Sequence, residues 1–429
     1  MSSSTNFINK PPPRWQKKNL ISFTIIIIIT VSTVLFFVYF PYPAEVDSDD
    51  SDDEPDFPTI YITCYVDLNN ENYSSCIFEL DSSETSEKID PLEANIKIRG
   101  ETSATYPKVG YRIELSKNEP LLGMRDDDDW QLFASYYDYT RLKVKLSFNL
   151  WRSLLSLDLD PTAILPRSRY VLLYFNGEFQ GLYLLAEKDD RKLLGIEQNT
   201  ATNSTNSSLI FQAKDYTNFT IYRAGDWEQD WPNEDEGYYV KDKILPNLIN
   251  FVNNSDNETF FHPEFGVYAN FSKINLIDFF LFNFFILHGD FWDKNYFIAR
   301  NSHDSLFYLI PWDFDISFGQ NATKEYDNIT NPIEDIRSKN RLYYRLLDNQ
   351  TFRQNCSDRW SELRSNVWSN ESIFNLLSAI YNECKNYIQT DLNIWNQPYN
   401  SKNYIELLKD WISDRLSFCD DYFKNTFLN

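Results

Sequence analysis

The run INLIDFFLFNFFI, Ile274 to Ile286, is apolar nearly all round. A helix with that pattern has to be buried on most of its sides, so the chain must wrap layers of structure around it. Directly after it comes LHGDFWDKNYFI, Leu287 to Ile298, which sets two aspartates, a lysine and an asparagine within six residues. Asn295 to Ala299 then reads as a short strand, and Ser305 to Pro311 (SLFYLIP) reads as its partner, delivering Asp313 in PWDFDISFG. The order is buried helix, polar loop, hairpin, aspartate. It gathers Asp290, Asn295 and Asp313 at one end of a hairpin.

Such a trio suits phosphoryl transfer. One carboxylate, Asp290, accepts or orients the proton of an attacking hydroxyl; the Asn295 amide oxygen and the Asp313 carboxylate hold Mg²⁺ on the phosphates. HGDFWDKN has the H-x-D-x-x-x-x-N form of the kinase catalytic loop, and DFD occupies the place of D-F-G. An isolated H-x-D-x4-N is a weak signal, whereas the full ordered series is a specific one. The lone His288 reads as a support for the loop. Asp293 and Lys294 read as solvated loop residues, and Asp315 stands open between a second metal ligand and a turn-former.

Elsewhere the chain divides into a sheet-rich front and a helical back. Thr59 to Val66, Asn95 to Ile98 and Val109 to Leu115 read as strands, the last two joined by the polar loop RGETSATYPK. Asp138 to Leu155 carries apolar residues at helical spacing with an aspartate where an N-cap belongs. Arg169 to Phe175 and Glu178 to Leu185 flank Asn176-Gly177, a strong hairpin signal. After the low-complexity stretch TATNSTNSS, Thr200 to Ser208, helical patterns cover Lys243 to Val252, Ile274 to Leu287, Leu342 to Leu347, Ser357 to Trp368, Ile373 to Ile388 and Tyr404 to Phe423. An α+β unit of two lobes is expected, a sheet-rich lobe over about 57–199 and a helical lobe over about 209–429.

The sequence resembles the CotH family, atypical protein kinases named for spore-coat proteins and found also on eukaryotic cell surfaces. The resemblance runs from Ile96 to Gly319 through IKIRGETSATYPKVGYRIEL, DWQLFASYYDYTRLKVKLSF, RYVLLYFNGEFQGLYLLAEKDD, LHGDFWDKN and IPWDFDISFG, all in family order. It implies a divergent protein-kinase-like fold and ATP-dependent phosphorylation of Ser or Thr in proteins, with Mg²⁺ or Mn²⁺. By position, Asp290 corresponds to the catalytic aspartate, Asn295 to the metal-binding amide and Asp313 to the metal-binding carboxylate. Lys108, closing the RGETSATYPK loop, corresponds to the phosphate-binding lysine, with Arg99 and Ser103 as further candidates from the same loop. Glu187, in LLAEKDD, is open between a partner for Lys108, a metal ligand and a surface acid. The chain departs from the family's D-x-T-x-x-R pattern, having Lys143 after Asp138 and Thr140, so a bidentate contact becomes a point charge.

Residues 1–19 read as a cytoplasmic tail and Leu20 to Phe40, 21 residues without a charge, as a transmembrane helix long enough for a bilayer core of about 30 Å. Lys10, Arg14, Lys17 and Lys18 precede it, and the acidic run EVDSDDSDDEPD, part of a stalk over 41–56, comes after it. That asymmetry predicts a single-pass type II membrane protein with residues 57–429 in the secretory lumen or at the cell surface. N-x-[ST] acceptors from Asn72 to Asn370 fit a glycoprotein, and Cys64 with Cys76, or Cys356 with Cys384 or Cys419, are candidate disulfides for an oxidising compartment. A net charge of −23 argues against nucleic acid as a partner. The expected substrate is therefore a secreted or surface protein. Two alternatives remain at this level: an inactive CotH-like adhesin or structural protein, and a kinase acting on glycans or small molecules.

Overall fold

The computed structural model describes residues 57–82, 87–157, 162–289, 292–302, 304–319, 330–397 and 400–428. The expected membrane span, the acidic stalk and Asp290 lie outside the described residues.

Seven strands, β1 (Thr59–Cys64), β2 (Ser74–Ser82), β3 (Glu87–Arg99), β4 (Gly110–Pro120), β5 (Asp126–Phe133), β6 (Ser168–Phe175) and β7 (Glu178–Glu187), close a barrel in the order β1-β2-β3-β4-β5-β7-β6. Closure comes from the parallel pairing of β1 with β6, Thr59 opposite Leu172. Alternate residues face inward, as the strand period of two requires: Ile60, Ile62, Phe78, Leu80, Ile96, Ile113, Trp130, Val171, Leu173 and Tyr183 fill the barrel. Asn176 and Gly177 turn β6 into β7 at φ +50° and +81°, the left-handed pair that a two-residue hairpin needs.

A second sheet, ordered β11-β10-β8-β9, is built from β8 (Leu209–Ala213), β9 (Trp227–Trp231), β10 (Tyr296–Arg300) and β11 (Tyr308–Pro311). The helices are α1 (Lys143–Ser153), α2 (Lys241–Asn254), α3 (Lys273–Ile286), α4 (Ile333–Lys339), α5 (Arg341–Asp348), α6 (Gln350–Ser365), α7 (Asn370–Ile394) and α8 (Ser401–Asp421), with single-turn helices between α2 and α3. The protein is thus mixed α+β, sheet-rich at the front and helical at the back. The back half holds more sheet than expected: β8 is a five-residue apolar run, LIFQA, directly after the low-complexity stretch, and β9, WEQDW, is mixed polar sequence. β2 and β5 escaped as β9 did: SSCIFELDS and DDDDWQLF lack clean β-branched alternation.

Every residue of α3 from Asn275 to Ile286 is buried, as its all-round apolar pattern demands. Its polar residues find partners within the core. Asn275 accepts from Leu309 N at 2.7 Å and donates to Leu309 O at 3.0 Å, which pins the helix to β11. Asp278 receives both arms of Arg359 from α6, at 2.8 and 2.9 Å. Arg415 of α8, fully buried, donates to Phe285 O at 3.1 Å, to Phe284 O and to Thr330 O at 2.6 Å. The first two are carbonyls of the last turn of α3, where i+4 donors run out.

Two expectations need correction. The helix expected from Asp138 starts five residues later, at Lys143, because Asp138 forms its own turn: its carboxylate accepts Thr140 N at 3.0 Å and Lys143 N at 2.9 Å. The candidate disulfides are absent, since all five cysteines are free and buried. Cys64 and Cys76 do face each other across β1 and β2, and burial, with Cys64 adding to it, pushes the Cys76 thiol up to about 12.

Candidate functional site

The end of α3 leads directly into the site. Leu287, at φ +49°, stops the helix. From there the chain is stitched to the loop after β11: Gly289 N donates to Ile316 O at 3.3 Å and Phe318 N to Ile286 O at 2.6 Å. His288 Nε2 lies 2.7 Å from Asp313 O and 3.2 Å from Trp312 O. Carbonyls only accept, so this nitrogen carries its hydrogen and the imidazole braces the Asp313 loop.

The β10–β11 hairpin brings Asn295 and Asp313 to the same end. Tyr296 pairs with Pro311, and one step outward Trp312 N donates to Asn295 O at 3.0 Å. Asn295 also donates its backbone N–H to Ala213 O of β8 at 3.2 Å. Both residues adopt left-handed backbone, Asn295 at φ +60° and Asp313 at φ +63°. Asn and Asp tolerate that region better than other residues with a Cβ, and such positions cluster at functional sites. Asp313 is exposed and Asn295 half-buried. Asp290 lies outside the described residues.

Arg99 meets this loop from the barrel. Its guanidinium stacks 3.9 Å from the Phe133 ring centre. Burial holds it below the usual arginine range, Asp313 pulls it back up, Arg112 pushes it down, and Asp189 and Asp315 pull it up. Arg99 therefore sits within electrostatic reach of both aspartates of DFD. Ser103 begins a one-turn 3₁₀ helix, Ser103–Thr105, and folds back on Gly100 so closely that a Cβ there would lie 2.0 Å from its hydroxyl. Tyr106, next in the loop, packs edge-on against Tyr137 at 4.6 Å. Its phenol is raised by burial and by Asp315, Tyr137 and Asp313.

Lys143, the departure from the family's arginine, opens α1 with no solvent exposure. Its ammonium lies 3.3 Å from Ser317 O. Burial brings it down to about 8, against the upward pull of Asp138 and Asp315.

Two expected binding residues are buried in ion pairs. Lys108 is sealed: it donates to Asp391 Oδ1 at 2.8 Å and to Leu182 O at 2.5 Å, and lies 4.5 Å over the Tyr183 ring. Burial brings it down to about 7, with Asp391 opposing and Arg141 assisting. Glu187 neither pairs with Lys108 nor lies at the surface. It is 2% exposed and accepts Arg125 N at 3.0 Å, Arg167 N at 2.8 Å and Arg167 Nε at 2.9 Å, tying off the end of β7.

Sequence reasoning missed Asp391, Arg141 and the polar wall around Asp230. On β9, Asp230 is pushed up to about 8 by burial and by Glu228 and Asp189, against Arg112 and Lys188. WEQDW carries no motif to announce it. Asp391 had a signal, being an acid on the apolar helical face of Cys384, Ile388 and Leu392. Asp127, Asp129 and Asp190 bring carboxylate oxygens within 4.8 Å of one another, yet all three are matched by cations. Arg125 pairs with Asp127 and Asp190, Lys192 with Asp127 and Lys188 with Asp129.

A buried helix, a polar loop, a hairpin and an aspartate follow one another in the order that the sequence predicts. The model of the family described as CotH kinase protein matches residues 96–419, and the chain belongs to that family. It is similar to the inner spore coat protein H of Bacillus subtilis (strain 168), 23% identical over 347 residues, covering 77% of this chain and 87% of that protein. Among solved structures, the Helicobacter pylori proinflammatory kinase CtkA aligns at 11% identity and a TM-score of 0.27, over 73% of this chain and 94% of CtkA. The Golgi casein kinase aligns at 10% and 0.31, over 88% and 75%; its Mn/ADP-bound form aligns at 10% and 0.30, over 87% and 75%. Superpositions that loose carry no residue correspondence.

The expected localisation is corrected by these findings. The relative is named as an inner spore coat protein, and no helix among the described residues is long and apolar enough to cross a membrane. The segment expected to span, Leu20 to Phe40, lies outside the described residues.

Proposed function

We propose that this chain moves the γ-phosphoryl group of ATP to a Ser or Thr hydroxyl of a protein acceptor, on a divergent two-lobed kinase-like fold in residues 57–429. The observation that carries the reading is the convergence at one hairpin end of Asn295 and exposed Asp313, both left-handed, within reach of the Arg99 guanidinium. A carboxylate and an amide oxygen are hard donors, suited to Mg²⁺ or Mn²⁺, so this donor set fits the metal that the reaction needs. Asn295 and Asp313 would hold that ion. When bound, it would offset the charge on the phosphate oxygens.

The remaining roles belong to the chain itself. Asp290 takes the proton of the attacking hydroxyl as its oxygen bonds to the γ-phosphorus and the bond to the ADP oxygen breaks. Arg99 supplies fixed positive charge near the carboxylates, where a triphosphate adds negative charge. His288 holds the Asp313 loop by its carbonyl. Lys143 holds the far end of that loop at Ser317.

One observation favours a second reading, a fold kept without catalysis: Lys108 is sealed against Asp391. Acid hydrolysis of a basic, Ser-rich protein acceptor after incubation with γ-labelled ATP separates the two. Labelled phosphoserine or phosphothreonine supports the kinase, and label in glycans or small molecules redirects the substrate class. Absence of transfer under any condition favours the inactive fold.

The pH profile of transfer gives a sharper check. Lys143 titrates near 8 in the folded protein, so its charge at the Asp315 loop is present below that pH and lost above it. Transfer is expected to fall as pH rises through about 8, and Lys143→Arg, charged throughout, is expected to move that alkaline limb upward. An unmoved limb would assign the titration to another group.

A further inference from the structure

Asp391 lies on the buried face of α7, 78 positions beyond Asp313 in the chain, and is fully buried. Its carboxylate is divided among three donors. Oδ1 accepts Lys108 Nζ at 2.8 Å and Leu182 N at 2.8 Å, and Oδ2 accepts Arg141 Nε at 2.6 Å. The approach depends on Gly181, which has φ +92° and whose Cβ, if present, would lie 2.1 Å from Oδ1.

Each cation on Asp391 anchors one of the two loops near the DFD aspartates. Lys108 closes the loop that carries Arg99, Ser103 and Tyr106. Arg141 gathers the other loop, donating to Ser135 O at 2.9 Å, Tyr136 O at 3.2 Å and Asp138 O at 2.6 Å. Asp138 in turn accepts Lys143 N at 2.9 Å, which sets the lysine against Ser317. The loops also meet each other, through Tyr106 on Tyr136 and Tyr137. A buried ionic triad is a poor way to gain stability, since apolar replacements of the same volume are often as stable. What it does supply is a single geometry.

We propose that Asp391 is a positioning residue for phosphoryl transfer: from α7 it fixes the Arg99–Lys108 loop and the Ser135–Lys143 segment beside the Asp313 loop. This rests on the phosphotransfer reading of the site. Asp391→Asn in the full chain keeps the shape and one acceptor oxygen but removes the charge. Its kcat for transfer is expected to fall about a hundredfold, the cost of a small misplacement remote from the chemistry, with KM for the acceptor little changed. Backbone hydrogen exchange is expected to quicken in 100–108 and 135–143 while α3 and the β10–β11 hairpin keep their wild-type protection. Gly181→Ala, which displaces the carboxylate without touching its charge, is expected to give the same exchange pattern and loss of kcat.

An active, folded Asp391→Asn with wild-type kcat sinks this proposal alone. Exchange that quickens throughout the molecule also overturns it, by marking Asp391 as a stability residue. A wild type that transfers nothing sinks the phosphotransfer reading, and this proposal with it.

Discussion

Asp313→Asn is expected to lower phosphoryl transfer by about a thousandfold, the range seen when a preorganised charged contact is removed from a reacting centre. Its stability should shift by no more than about 0.5 kcal/mol, as for an exposed position away from the core. Both halves rest on the geometry. Asp313 is exposed and its backbone is left-handed, a conformation that Asn adopts as readily as Asp. The His288 brace reaches its carbonyl and leaves the carboxylate out. The substitution therefore removes a charge within reach of Arg99 and almost nothing else. Transfer assays beside thermal melts decide it: retained transfer in a folded variant would remove Asp313 from the chemistry.

Asp278→Ala is expected to lower stability by about 3–5 kcal/mol, read by chemical denaturation. Asp278 is fully buried in α3, and Arg359, 3% exposed at its side chain, offers it both arms. Removing the carboxylate strands a guanidinium in the core, with Glu362 as its remaining acidic partner. Asp278→Leu combined with Arg359→Met should recover much of the loss, because no uncompensated charge is left. If the single and double variants are equally unstable, the cost comes from packing and not from the orphaned cation.

The sequence was most informative where one physical constraint acted alone. The apolar run of α3 could only be a buried helix, and Asn176-Gly177 could only be a tight hairpin. The spacing of HGDFWDKN and PWDFDISFG likewise forecast a hairpin that joins Asn295 and Asp313, because pairing across two short strands is set by local register. The surroundings of Lys108 were illegible for the opposite reason. Which way a strand-end lysine turns depends on what lies nearby, and its partner Asp391 is 283 positions away in sequence. The partners of Glu187 were hidden in the same manner, being Arg167 and the backbone before β6. β5, written DDDDWQLF, carries no strand signal of its own, and Lys188, Lys192 and Arg125 supply the charges that let it lie in a sheet.

The most direct test of the central claim tracks the γ-phosphate itself. The purified full chain is incubated with γ-labelled ATP and Mg²⁺ or Mn²⁺, beside an Asp290→Ala variant of equal melting temperature, and label on protein is counted. Label on the wild type that vanishes in the variant is the predicted result. No label on either, together with a wild-type melting temperature that ATP and metal fail to raise, would contradict it.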